Sequence, residues 1–497
     1  MRRATILTAL AALPLAACGT NPAADLDLDA VADAGTMTDT AIGGDTDLVD
    51  DTTIVTDESP LVTCDATPLW RSEEAGFWFD RAAFGFTPNE GLLVLSHHDG
   101  MSGGVWRTTD GERVGSTGSR IYDAIDARWH RSVATRHSST FAVETVVTGD
   151  VLFEIQSTPE QPMNWLGSTI SADGQTAAAL HCADDPNGAR VTLTVVDVDR
   201  RAATDHTIPV GGEMYCWSYG DRPQLAFDPD ATALVFTLPG TATLYRLDVD
   251  SGDVQSVVAH PDIIDGGAWS PGPDLLDLAL SPDGATVATS GADGRVRLWA
   301  IADLAPIGDG FDAGWQILNE MTYAAPHAAS PLAWTPQGDL LAHIDPDGNV
   351  AVRAVADGRL LHVFEMPTGP GEDFGISPGV GALSFTPDGA ALAAADMHGA
   401  SMWGCHTPSP TPSHDLSVLL EVPESAPINE PVTFVATHLG SDHFHTHRFL
   451  VDDTIVHYGG PDREMTWYPT ETGTYLVTVI VDDGASQVSA SRPITIR

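Results

Sequence analysis

The chain has 497 residues, too many for one small domain, and its 43% hydrophobic share is enough for a packed core. It carries 69 Asp and Glu against 23 basic residues, every one an arginine, for a formal net charge of −46. Without lysine there is no lysine Schiff base, pyridoxal-phosphate anchor or P-loop. The acidity opposes binding to nucleic acid and polybasic docking on anionic lipid.

Arg2 and Arg3 precede an apolar run of 14 residues from Ala4 to Ala17. A membrane-spanning helix needs about 20, so the run reads as the apolar region of a signal peptide. It ends in Leu15-Ala16-Ala17-Cys18. That quartet resembles the bacterial lipobox. The resemblance implies that residues 1–18 are a lipoprotein signal, cleaved before Cys18, with diacylglycerol on the Cys18 sulfur. An ordinary secretory signal that happens to contain a cysteine is the plainer alternative. Gly19 is not the Asp linked to inner-membrane retention in some envelopes, so the expected address is the outer membrane. No later run reaches 18 apolar residues, so the mature chain is expected to be tethered by lipid and not to span.

Residues 19–60 follow. From Asp25 to Glu58 there are ten Asp, one Glu, no base and no aromatic ring. Such a segment buries too little to order itself, and its charges extend it. It is expected to be an acidic, disordered tether.

Repeats dominate the next 345 residues. The clearest unit is Leu278 to Trp299, LALSPDGATVATSGADGRVRLW, which reads strand, PDG turn, strand, DG turn, strand. Pro282 presets φ in the first turn and Gly284 takes the position that needs freedom. Related units begin near Ala82, Ser168, Pro223, Pro331 and Gly381, with turn residues at 88, 172, 229, 282, 336 and 387. Successive gaps are 51–57 residues except the first, which is 84 and leaves room for a degenerate copy over Asp123 to Gly149. That makes seven.

These units resemble the WD-repeat family of β-propellers. In the Leu278–Trp299 unit, Thr289, Asp293 and Trp299 stand at the spacing of the family's hydrogen-bonded set that braces each blade. The family's Gly-His before the first strand is not visible, and His260 stands too far upstream to replace it by spacing alone. The resemblance implies an all-β chain: a seven-bladed β-propeller over residues 61–406. The seventh unit lacks a fourth strand, which Leu61-Val62-Thr63-Cys64 is expected to supply.

Four cysteines remain after Cys18, and three pairings are open. In an exported protein disulfides are expected. The ring implied by the resemblance favours Cys64 with Cys405, locking the last sheet, and Cys182 with Cys216 on one face. Four free thiols are the alternative.

TPSPTPS at 407–413 opens a Pro/Ser/Thr linker over 407–415. New strand patterns run over 416–497. Gly473-Thr474-Tyr475 leading to Asp482-Asp483-Gly484 resembles PKD-like and bacterial Ig-like sandwiches, although the Trp-x-Phe-Gly-Asp-Gly element of the PKD family is missing. The resemblance implies a small Ig-like β-sandwich.

The sharpest chemical candidate is His443-Phe444-His445-Thr446-His447. In a strand, His443, His445 and His447 share one face and suit zinc or copper. His438 and His457 are candidate additions, and Asp442 a supporting partner. An exposed His-rich strand is the bland reading, and no other cofactor is expected. Asp248-x-Asp250-x-Gly252-Asp253 and Asp345-Pro-Asp347-Gly-Asn349 look like fragments of calcium loops but fall where hairpin turns are needed anyway. His97, His98, His181 and His343 lie near the ends of second strands. No G-x-S-x-G or H-E-x-x-H occurs, so no catalytic residue is assigned.

The function expected from this reading is non-enzymatic: a monomeric, lipid-anchored cell-envelope scaffold that presents loops to an envelope or extracellular protein or peptide. Tyr215, Trp217 and Trp315 are the aromatic anchors to look for, unless they fill contacts between blades. Two rivals stand beside it: a hydrolase or lyase with its site at a propeller mouth, and a metal-binding protein using the His443–His447 strand.

Overall fold

The computed structural model describes residues 67–73, 83–96, 103–117, 122–136, 139–158, 163–183, 190–210, 223–238, 241–261, 275–291, 293–312, 331–345, 348–366, 380–396, 399–404, 416–439, 444–458 and 463–497. All belong to the second of the chain's two units, Asp57–Arg497. The acidic segment 19–60 lies outside the described residues, as does the linker 407–415.

Every described regular element is a strand. Seven antiparallel sheets of four strands follow one another along the chain. The first holds Phe84–Phe86, Leu92–Leu95, Gly104–Arg107 and Arg113–Ser116. The second, Ala124–Ile125 through Val151–Gln156, occupies the stretch expected to hold the degenerate copy. The fifth holds Leu275–Leu280, Thr286–Gly291, Arg295–Ala300 and Phe311–Asp312. The seventh joins Val380–Phe385, Ala391–Asp396 and Gly399–Gly404 to Trp70–Glu73 from the other end of the chain.

That long-range strand differs in position from the expected Leu61–Cys64, which lies outside the described residues. Trp70 pairs with Met402 and Glu73 with Gly399. The anchor is aromatic: the Trp70 indole is buried and donates from Nε1 to the Thr108 carbonyl at 2.8 Å. Arg71 donates to the buried Asp396 carboxylate and to Ser401.

Each sheet shares an apolar core with the next. Val94 packs in one cluster with Val146, Val143 with Ala177, Leu193 with Leu234, and Val235 with Val287. Ala288 then packs with Leu341 and Ala342 with Leu392, and Ala393 of the seventh sheet packs with Leu93 of the first. A four-stranded sheet with two apolar faces cannot bury both alone, so stacking between neighbours is what stabilises it.

The turns follow the expected chemistry with three exceptions. Gly284, Gly338 and Gly389 take positive φ in their turns, but Glu90 (58°), Trp129 (59°) and Ala231 (54°) hold the equivalent place in the first, second and fourth sheets. That conformation costs an L-residue about 1–2 kcal/mol. In the first sheet the residue after Glu90 is itself a glycine in a close approach: a Cβ on Gly91 would meet the Asp483 carbonyl oxygen at 2.7 Å.

Residues 416–497 form two further sheets. Ser417–Glu421, Val432–Leu439 and Glu464–Trp467 make one; Ser425–Ala426, Gln487–Ile496, Gly473–Asp482, Thr446–Val451 and Thr454–Tyr458 make the other. Phe434 and Ala436 of the smaller sheet share a core with Phe449, Val477 and Val479 of the larger.

Candidate functional site

Two strands in the C-terminal sheets carry the one group of histidines in the described residues whose ligand atoms converge. On Val432–Leu439 the inward row is Val432, Phe434, Ala436 and His438, all buried. On Thr446–Val451 and the two residues before it, the inward row is His445, His447, Phe449 and Val451. Alternation along each strand therefore ends both apolar rows in imidazole at the same edge of the core.

His438 and His445 lie with ring centroids 3.8 Å apart, His438 and His447 at 5.4 Å, and His445 and His447 at 5.2 Å. One ligand atom from each lies within 4.8 Å of the other two. Nδ1 of His438 is buried without a hydrogen-bond partner. Burial, helped by the nearby Arg463 charge, pushes His438 down to about 4, so at neutral pH the ring is neutral and keeps a lone pair.

Two of the three expected histidines fall in this group. His445 and His447 do share a face. His443 lies outside the described residues, and the third imidazole is His438 from the facing strand. His457 pairs opposite Phe449 and stands outside the group. Of the two candidate additions the structure brings in His438, which comes from the other sheet, so local spacing alone does not select it over His457.

The opposite face of the same strand docks on the first sheet. Phe444 enters the core made by Leu92, Val94, Val105 and Val114 with Trp129. Thr446 donates from Oγ1 to the Val114 carbonyl at 3.2 Å, and Arg448 donates to Glu112 at 2.9 Å. Arg107 of the first sheet reaches the buried Asp482 carboxylate at 2.7 Å and also pairs with Glu112. Burial opposes the Glu112 charge, but the hydrogen bonds from Arg107 and Arg448 outweigh it and lower the carboxyl. Asn89 donates from Nδ2 to the Asp483 carbonyl at 3.1 Å.

The bracing set of the fifth sheet is complete and has a fourth member. Trp299 donates from Nε1 to Thr289 Oγ1 at 2.9 Å. His260 places Nε2 3.0 Å from Thr289 Oγ1 and Nδ1 2.8 Å from the Asp293 carboxylate. Burial lowers His260, so its ring is neutral; assigning the proton to Nδ1 lets it donate to Asp293 and accept from Thr289. Burial would raise the Asp293 carboxyl, but hydrogen bonds from His260 and Arg297 hold it at about 2. His260 is a long way upstream in sequence, yet the fold returns it to the site.

The other candidates are scattered. His181 packs edge-on against Trp165, with ring centroids 4.8 Å apart. His343 is buried, accepts from Arg353 Nε at 3.0 Å, and is pushed by burial to about 4. Asp248 caps its hairpin by accepting from the Ser251 amide, and Asp345 accepts from the Asn349 amide, so both are turn residues. Cys182 is fully buried in Thr176–Ala183. Cys18, Cys64, Cys216, Cys405, Asp442, Tyr215, Trp217, Trp315, His97 and His98 lie outside the described residues.

Residues 268–300 match the WD domain, G-beta repeat. That stretch contains the first three strands of the fifth sheet with Thr289, Asp293 and Trp299. Comparison with curated proteins finds no match. Among solved structures, the β-propeller domain of Myceliophteria thermophila Cps50 (Swd1) aligns over 67% of this chain and 97% of its own, at 12% identity and a TM-score of 0.45.

Proposed function

We propose that this protein is an exported, lipid-anchored, non-enzymatic binding scaffold, built from a seven-bladed WD-type propeller over residues 61–406 and an Ig-like domain over 416–497. The observation that carries the reading is the run of seven four-stranded sheets whose last member borrows Trp70–Glu73 and whose cores lead from the seventh sheet back to the first. The WD repeat at 268–300 agrees with it. A rigid ring leaves loops free to vary, and specificity then resides in the loops.

The Ig-like assignment draws on Tyr475. Its hydroxyl donates to the Glu471 carbonyl four residues upstream at 3.1 Å, in the manner of the tyrosine corner of that fold. Val477, buried two residues on, stands where antibody domains place a cysteine. We assign Cys182 and Cys216 to one disulfide and Cys64 and Cys405 to another. Cys18 is the lipidated residue, which anchors the chain in the outer membrane of a bacterial envelope.

The partner is a protein or peptide, gripped by the loops that carry Tyr215, Trp217 and Trp315. Affinity capture from the native envelope with the full chain tests this. Recovery of a defined partner that falls at least tenfold for Tyr215→Ala, Trp217→Ala or Trp315→Ala supports it; recovery indifferent to all three overturns the assigned face. Radiolabelled palmitate should enter the wild type and not Cys18→Ser.

A further inference from the structure

We propose that His438, His445 and His447 bind one divalent transition-metal ion of the zinc class, and that the ion clamps the two C-terminal sheets together at the edge resting on the first sheet. Such a site owes nothing to any partner on the loops.

All three imidazoles have been taken out of water: His438, His445 and His447 are 7%, 0% and 0% exposed. A buried polar ring nitrogen costs free energy unless it is matched, and Nδ1 of His438 has no hydrogen-bond partner. Each of the three positions continues a row that is otherwise Val, Phe or Ala, where an apolar side chain would serve packing alone. Three imidazoles substituted at one end of two facing rows point to a ligand that binds ring nitrogen.

The geometry suits a small ion. The ligand atoms lie within 4.8 Å of one another. Zinc–nitrogen bonds of ~2.0–2.1 Å in a tetrahedron place ligand nitrogens ~3.4 Å apart. Modest rotation of the rings about χ2 closes that difference. An all-nitrogen set excludes calcium and magnesium, which take oxygen, and suits zinc, copper or nickel. Three protein ligands leave a fourth position to water or an added ligand.

Placement gives the ion its structural role. His438 belongs to the smaller sheet, while His445 and His447 flank the start of a strand in the larger. Phe444, Thr446 and Arg448, which alternate with the ligands, make the dock on the first sheet. One short stretch therefore coordinates with one face and docks with the other. Fixing the imidazoles fixes the backbone that carries the docking side chains.

The test uses the full chain. Apo protein is titrated with Zn(II) and Co(II) against a chromophoric chelator, and cobalt absorption is recorded. The expected result is one equivalent per chain, with the intense visible bands of a tetrahedral site. His438→Gln, His445→Gln and His447→Gln should each weaken binding about 100-fold, since even partners outside the coordination sphere cost roughly 10–100-fold. Metal content unchanged in the triple variant would place the ion elsewhere and overturn the proposal. If a variant does not fold, X-ray absorption of the zinc-loaded wild type decides: a coordination sphere with three imidazoles supports the site, and an oxygen-only sphere or no stoichiometric uptake overturns it. Hydrogen exchange at 444–448 should slow on loading; exchange that does not respond would remove the clamp.

Discussion

The Phe444 ring meets the Trp129 indole edge to face, with centroids 5.3 Å apart, and so joins the C-terminal sheets to the boundary between the first and second sheets. Phe444 is fully buried, and the aliphatic side chains around it come from both those sheets. The contact makes the C-terminal region part of the same body and not a module on a loose linker.

Removing that ring should uncouple the two parts. Phe444→Ala leaves a cavity whose cost is about 3–5 kcal/mol. The expected outcome is that protease cleavage within 407–415 leaves two fragments that co-elute in the wild type and separate in the variant. Co-elution in both would show that Phe444 does not hold the dock.

The dock also depends on a backbone approach. A Cβ on Gly484 would meet the Gly91 carbonyl oxygen at 2.1 Å, and Gly484 sits at φ +84°. Gly484→Ala therefore combines conformational strain of about 1–2 kcal/mol with a clash. Gly308 is the control: it has φ +67°, and a Cβ there would find nothing within 4 Å. Gly484→Ala should lower the urea midpoint clearly more than Gly308→Ala; equal shifts would mean that the close approach is dispensable.

Acid should loosen the fifth sheet through Asp293. Its folded pKa, about 2, lies below the ~3.9 of an unfolded Asp. A depressed carboxyl contributes stability above the unfolded value and loses it as pH falls through the folded one. The window is therefore pH ~4 down to ~2, and the contribution at neutral pH is on the order of 2 kcal/mol. Asp293→Asn should unfold more easily at pH 7 and show a flatter loss of stability across that window. An unchanged slope between pH ~4 and ~2 would assign the acid sensitivity to other groups.

Reduction should act on the third sheet. If Cys182 is bonded to Cys216, the closed loop is worth ~3–5 kcal/mol by chain entropy. Thiol reductant should lower the thermal midpoint of the wild type by more than that of Cys182→Ala/Cys216→Ala, which keeps only the Cys64–Cys405 bond to lose. A response to reductant in the double variant no smaller than in the wild type would place the effect in another bond.

Local signals in the sequence announced most of these strands. Turn residues such as Pro282 and Pro336 mark hairpins whose geometry is set by neighbours in the chain. What stayed hidden depends on distant partners. Trp70–Glu73 has only four residues and two charges, and pairing with Gly399–Met402 makes it a strand, whereas Leu61–Cys64 is the richer β sequence. His260 breaks the family spacing, yet a longer connection returns it to Thr289 and Asp293. His438 and His457 both stand as candidate additions in the sequence, and only the facing of the two sheets selects His438. The period-2 pattern of 443–447 did place His445 and His447 on one side.

The front of the chain completes the last sheet of the proposed ring, and Ser72 pairs with Ala400 across that seam. Directly opposed residues of an antiparallel pair have Cα atoms about 4.5–5.5 Å apart, within reach of a disulfide. The double variant Ser72→Cys/Ala400→Cys should therefore oxidise to a bridge between its two new thiols, detected by peptide mass mapping of the folded chain. Folded protein in which the two engineered thiols stay free, or cross-link only to other positions, would contradict the ring.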